Sequence, residues 1–252
     1  MRERHTAKRR PVEAAGQSPK VLRLSHADHL VLQGETEETV AQHRQWLATT
    51  VPSVESPAYR ERLLVTAKAR HEHIKTLTVD EALRVYPFLK DEHTLLLEFE
   101  VLYQRNLLPL LEEGFQRLVE LIKEHGSEDE VLLITESMED TSEVGLKIIA
   151  ARCKEELSIF ITENEDVTLS PVLRRQDGSI SLFVDAERVC DCSSMLLGRS
   201  SLFSAYWIFN VRYPKKGANT LTFIERAVLK LSVTKPRSEC VDLLHFFHAL
   251  DK

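Results

Sequence analysis

Beyond residue 34 the apolar positions change period twice, and the changes divide the chain. Up to about residue 153 they recur every three or four residues, as in helices that bury one face. The clearest run is Leu107, Leu111, Phe115, Leu118 and Ile122, a single stripe that predicts a helix after Asn106. Pro109 falls in its first turn, where a missing N–H costs little. Lys123, His125 and Gly126 supply a basic end and a glycine stop. Between 157 and 190 the pattern shortens to β-like runs at 157–162, 169–174, 180–184 and 188–190. Asp177-Gly178 is a hairpin turn between two of them. From 194 the pattern is helical again, at 194–210, 218–231 and 239–250, with Tyr213-Pro214 breaking the first from the second.

The earlier helices carry their own start signals. Ser56-Pro57 is an N-cap followed by proline at N1. Thr78-Val79-Asp80-Glu81 is a capping box, in which Thr78 bonds the third amide and Glu81 reaches back. It opens a short helix that stops at Tyr86-Pro87, and another helix begins near Asp91. A polar helix over 35–49 precedes them. Residues 128–143 hold seven acids and no base, a solvated connector enclosing one short helix at 130–137; a further helix covers 142–153. The expected fold is α+β, predominantly helical, with a small antiparallel hairpin or sheet in the C-terminal half. Residues 1–30 read as a loose basic arm, 31–137 as a helical region and 138–252 as an α+β region. The alternative is one domain over 31–252.

Charge sharpens the contrast between arm and body. The net charge is −6, yet residues 1–24 hold seven Lys and Arg against Glu3 and Glu13, a net +5 that leaves −11 for the rest. The body repels a polyanion, and only the arm attracts one. Arg2, Arg4, Lys8, Arg9 and Arg10 are therefore candidates for a nucleic-acid contact or a nuclear-targeting patch.

Glycine spacing excludes several functions. The closest two of eight glycines, Gly114 and Gly126, are 12 residues apart. Dinucleotide fingerprints, P-loops and nucleophile elbows all need closer pairs, because backbone must approach a phosphate or turn sharply. No run approaches the roughly 18–20 apolar residues that span a membrane. Four cysteines and a basic start without an apolar stretch predict reduced thiols in an intracellular protein, nuclear and cytoplasmic not being separated.

Three stretches, 35–47, 79–104 and 177–231, are similar to one family. Their carriers are Tyr86-Pro87-Phe88-Leu89, Asp177-Gly178-Ser179, and Tyr213-Pro214-Lys215 followed by Thr220, Phe223 and Ile224. Together they resemble the C-terminal region of the vertebrate sterile alpha motif domain-containing protein 3-like family. Residues 1–30 do not supply the small helical module that names that family. The resemblance implies the architecture and attachment to an interaction module. It implies no catalytic residue and no cofactor.

Candidate chemistry is sparse. His71-Glu72-His73, Cys190-Asp191-Cys192 and Cys240 with His245 and His248 are the suggestive metal-ligand groups, but none has the spacing of a zinc knuckle. Cys192, Ser193 and Ser194 lie near a helix start, where a nucleophile is activated, though without a catalytic signature around them. Asp185 and Glu187 flank a strand end, a weak basis for metal-dependent phosphoryl chemistry. The 107–122 stripe, Trp207 and Phe209 are either core or partner-facing. The leading expectation is a non-enzymatic interaction or regulatory module with no cofactor and an unidentified protein partner. The alternative is a chromatin- or nucleic-acid-associated factor binding through residues 1–24. The oligomeric state is not indicated.

Overall fold

A computed structural model describes residues 18–21, 23, 25, 35–136, 141–163 and 168–248. The fold is α+β and predominantly helical, as the patterning indicates. Five helices come first: α1 (Glu37–Thr49), α2 (Pro57–Thr76), α3 (Val79–Val85), α4 (Glu92–Tyr103) and α5 (Leu107–His125). The acidic connector contains α6 (Glu128–Glu136), and α7 (Thr141–Arg152) follows it. A four-stranded sheet comes next: β1 (Ile161–Thr162), β2 (Val172–Gln176), β3 (Ser179–Val184) and β4 (Glu187–Cys192). The chain ends its described course in α8 (Met195–Ile208), α9 (Ala218–Phe223) and α10 (Ser238–His248).

Local signals were realised where they were strongest. In the Thr78 capping box the Glu81 amide donates to Thr78 Oγ1 at 3.2 Å and the Thr78 amide to Glu81 Oε2 at 2.8 Å. Ser56 and Ser194 cap α2 and α8. Asp177 and Gly178 both take positive φ, 50° and 79°, as a two-residue hairpin turn of type I′ requires. Gly126 stops α5 without turning left-handed, at φ −77°. Its requirement is steric: a Cβ there would stand 2.5 Å from the Ile122 carbonyl oxygen.

The sheet is mixed, where a wholly antiparallel one was expected. The 157–162 run divides into a 3₁₀ turn, Leu157–Ile159, and the short β1, which lies parallel to β2. Nine residues, 163–171, separate β1 from β2, more than a tight hairpin uses. The order is β1-β2-β3-β4, and one face packs on α8.

One apolar cluster runs from Leu47 to Phe247, through the helical region and the α+β region alike. All five residues of the α5 stripe are buried in it, as are Trp207 and Phe209. Two buried polar networks cross this core. Arg70 and Glu98, both without exposure, form an ion pair, and Arg70 also bonds Thr66 and the Leu63 carbonyl. Trp207 Nε1 donates to the Tyr213 hydroxyl at 2.7 Å, and that hydroxyl donates to Glu225 Oε2 at 3.1 Å.

The loose arm over 1–30 needs correction where the chain is described. Lys20 forms a β-bridge with Val211, and the Arg212 amide donates to the Pro19 carbonyl. Arg23 is buried: one guanidinium nitrogen donates to the Tyr206 and Val211 carbonyls at 2.6 and 2.8 Å. Its charge lies over the rings of Trp207 and Tyr213, at 5.1 and 4.8 Å. In the sequence this arginine belongs to the loose basic arm. The ring faces and carbonyls at the end of α8 instead compensate a buried guanidinium.

Candidate functional site

Among the described residues, a cleft rich in converging charge lies where the end of α7, the start of α9 and the start of α10 meet. It encloses about 370 Å³ and is lined by Cys153, Lys154, Glu155, Lys215, Lys216, Asn219, Arg237 and Glu239, with Glu156 and Ile159. Three separate segments of chain form its walls, and a distinct device holds each.

The first wall is the exit of α7. The Glu155 amide donates to the Ala150 carbonyl at 2.8 Å and the Lys154 amide to the Ala151 carbonyl at 3.0 Å. This is a Schellman ending with Lys154 in the left-handed position, φ 56°, where glycine is the usual occupant. The turn carries Glu155 toward α9. Its two carboxylate oxygens accept the amides of Asn219 at 2.9 Å and Thr220 at 2.8 Å. Gly217, the residue before α9, has no side chain to cap them, so Glu155 performs that role from a distant segment.

The second wall is the 213–217 loop. Tyr213 anchors it in the core through Trp207 and Glu225. Burial pushes the Tyr213 phenol well above its usual pKa, so it stays protonated and donates to Glu225. The Gly217 amide then donates to the Pro214 carbonyl at 3.0 Å, which folds Lys215 and Lys216 onto the turn. Glycine is required at 217: a Cβ would stand 2.7 Å from the Phe160 ring.

The third wall leads into α10. After α9 the helix widens into a π-helical turn, Ile224–Val228, which turns Glu225 inward to zero exposure. Glu225 accepts the Thr234 amide at 2.6 Å and the Thr234 hydroxyl at 2.7 Å. That grip fixes the segment bearing Arg237. The same carboxylate therefore anchors the second wall through Tyr213 and the third through Thr234.

Four cations and three carboxylates face the cleft, and they are not equivalent. Glu155 is occupied by two amides. Glu239 is held below the usual carboxylate range by its own backbone amide and the Ser238 hydroxyl, and then by the charges of Lys154 and Arg237. The side chains of Lys154, Lys215, Lys216 and Arg237 make no hydrogen bond or ion pair within hydrogen-bonding reach among the described residues, and all four are exposed. Asn219 is 7% exposed, and its Oδ1 has no hydrogen-bond donor among the described residues. The cleft thus presents cations at its rim, and Asn219, whose buried Oδ1 lacks a donor among the described residues, lines it. Burial pushes the Cys153 thiol up to about 12, which disfavours its thiolate form.

The residues singled out from sequence fall elsewhere. Arg2, Arg4, Lys8, Arg9 and Arg10 lie outside the described residues. His71 is fully buried, with Nδ1 3.0 Å from Ser25 Oγ, whereas His73 Nδ1 sits 2.8 Å from the Tyr86 hydroxyl. The two imidazoles therefore serve different neighbourhoods. Cys190 and Cys192 share a buried face of β4; their mutual hydrogen bond, and then burial, push the Cys190 thiol far up. Cys240 is buried under α10, while His245 and His248 are exposed. Ser193 donates its amide to Glu92, and Asp185 accepts the Ser18 amide at 2.7 Å. Among the described residues no three His, Cys, Asp or Glu side chains converge to hold a metal ion.

Sequence reasoning missed the cleft. The Lys215-Lys216-Gly217 triplet between a helix stop and a helix start was its one local signal. Neither the protein-family models, the curated proteins nor the solved structures compared with this chain include a match. Among the described residues no helix is long and apolar enough to cross a membrane.

Proposed function

We propose that this chain is a non-enzymatic interaction module that docks a protein partner at the α7–α9–α10 cleft. The observation that carries this reading is the asymmetry of the cleft. Glu155 is engaged in holding two walls together and Glu239 is held by its own amide and Ser238, while Lys154, Lys215, Lys216 and Arg237 are exposed without a hydrogen bond or close ion pair, and the buried Asn219 Oδ1 has no donor, among the described residues. Polar groups left in that state favour a ligand that supplies what is missing. The resemblance to the C-terminal region of the sterile alpha motif domain-containing protein 3-like family points the same way, toward a body that works alongside an interaction module.

The test places a photo-crosslinking residue at Lys216 and, as a control, at Val51, an 82% exposed residue of the α1–α2 loop. Adducts to a discrete protein are expected from position 216 alone, and they should disappear when Arg237 is reversed to Glu. Equal labelling from both positions, or none from either, refutes the reading. A nucleic-acid adduct at 216 would instead favour the chromatin-associated alternative.

A further inference from the structure

We propose that the ligand of this cleft is an oxyanion carried on a peptide, a phosphoryl or carboxylate group on a partner segment. An adjacent N–H of that segment would donate to Asn219 Oδ1. This rests on the reading of the cleft as a protein-docking site. It adds the chemical class of what is docked.

Charge gives the first argument. Lys154, Lys215, Lys216 and Arg237 come from three segments and surround one cavity. Four cations around a concave site outnumber its three carboxylates, of which Glu155 is already occupied by two amides, and the excess positive charge favours an anion. The second argument is the floor. Asn219 is buried and its amide oxygen lacks a donor among the described residues, a deficit that an incoming N–H or O–H would make good. A carboxylate or a fully ionised phosphoryl group supplies acceptors only. A peptide supplies the anion and an N–H together.

Backbone conformation adds a third argument. Lys154 occupies the C′ position of a Schellman turn at φ 56°. Glycine, without a Cβ, takes that position more easily. The lysine in that position places a cation at the cleft rim.

Size and surroundings favour a peptide over nucleic acid. About 370 Å³ lies near the small end of ligand pockets, roughly 300–1,000 Å³, and admits one charged side chain with its neighbours. A nucleic-acid backbone repeats its charge at every nucleotide. It would press successive phosphates against Glu156, Glu239 and a body carrying net −11 beyond residue 24. A single oxyanion on an otherwise uncharged segment avoids that repulsion.

The experiment uses the full chain, isotope-labelled, titrated with three peptides that differ at one central position: phosphoserine, glutamate or serine. Inorganic phosphate and a DNA duplex are separate arms. The expected result is a saturable shift of the Lys154, Asn219 and Thr220 amides with the phosphoserine or glutamate peptide, at least tenfold tighter than with serine. The ratio of the first two identifies phosphoryl or carboxylate as the preferred source. Lys215→Glu with Lys216→Glu should weaken that binding at least tenfold. Lys154→Gly should weaken it severalfold while raising the midpoint of unfolding, which separates lost recognition from lost folding. The proposal is overturned if all three peptides behave alike, if phosphate alone binds as tightly as the phosphopeptide, or if only the duplex shifts the cleft. Should the peptides fail while crosslinking from Lys216 still captures its protein, the docking reading stands and only the anion assignment falls. Should both fail, both fall.

Discussion

Glu155 and Asn219 are joined across the floor of the cleft: the Asn219 amide donates to Glu155 Oε1 at 2.9 Å, and the next amide, of Thr220, donates to Oε2 at 2.8 Å. One side chain thereby caps α9 and ties it to the end of α7. The cap is needed because Gly217 precedes the helix and offers none. Replacing Glu155 by Ala leaves two helix-start amides without their acceptor. An N-cap lost in this way costs about 1–2 kcal/mol. Urea titration of Glu155→Ala should show that loss, and Glu155→Gln, which keeps one acceptor oxygen, a smaller one. An unchanged midpoint in both variants would mean that the carboxylate does not hold the wall.

Arg23 gives a second prediction, and it changes how the basic arm must be tested. Its guanidinium is buried against two carbonyls and two aromatic rings. Truncation to alanine leaves the Tyr206 and Val211 carbonyls without these donors and a void beside Trp207. The expected loss is about 2–4 kcal/mol, with a shift in Trp207 emission. Nucleic-acid binding should therefore be compared between the intact chain and one neutralised at Arg2, Arg4, Lys8, Arg9 and Arg10. Deleting everything before Ser25 would confound binding with folding. Wild-type stability in Arg23→Ala would contradict the packing described here.

What could be read from sequence divides along the range of the interaction. The Thr78–Glu81 box, the Leu107–Ile122 stripe and the Asp177-Gly178 turn are each complete within a few residues, so pattern alone locates them. The cleft is assembled from residues near 154, 216 and 237, and no periodicity links those positions. Arg23 falls in the stretch that reads as a loose basic arm, because basic residues there stand among Pro and Gly without helical periodicity. Only the distant end of α8 explains its burial. The π-helical turn was equally hidden, since apolar residues over 218–231 fit an unbroken helix. The turn's inward carboxylate becomes intelligible when Tyr213 and Thr234 are seen to bond it.

Two buried tyrosines should respond oppositely to loss of their hydroxyls. Tyr213 links Trp207 to Glu225 at the root of two cleft walls. Tyr59 is buried beside α1, and its hydroxyl has no hydrogen-bond partner among the described residues. Tyr213→Phe removes an acceptor from Trp207 and a donor from Glu225, and should cost about 1–3 kcal/mol. Tyr59→Phe removes a polar atom that gains nothing from burial, and should leave stability unchanged or raise it by up to about 1 kcal/mol. Denaturant titration of the two variants side by side checks the contrast. Equal losses would show that the Tyr59 hydroxyl is bonded after all.

The thiols at the α7–α10 junction predict an alkaline limit to stability. Burial pushes Cys153 up to about 12 and Cys240 up to about 11. An unfolded chain ionises its thiols near 8.5. Above that pH the unfolded state has lost a proton that the folded state retains, so unfolding becomes easier as pH rises. The contribution of each neutral thiol is fully present below about 8.5. It declines until the folded-state values near 11 and 12 are reached. Unfolding midpoints measured from pH 7 to 10.5 should therefore hold steady and then fall, and the fall should be shallower in a Cys153→Ala, Cys240→Ala variant. The same protonation protects the thiols chemically, because the thiolate is the reactive form. A thiol-specific reagent at pH 8 should label neither cysteine in the folded chain and both in urea. Rapid labelling of Cys153 in the folded state would show it to be a reactive group at the cleft, and would reopen the enzymatic reading of that wall.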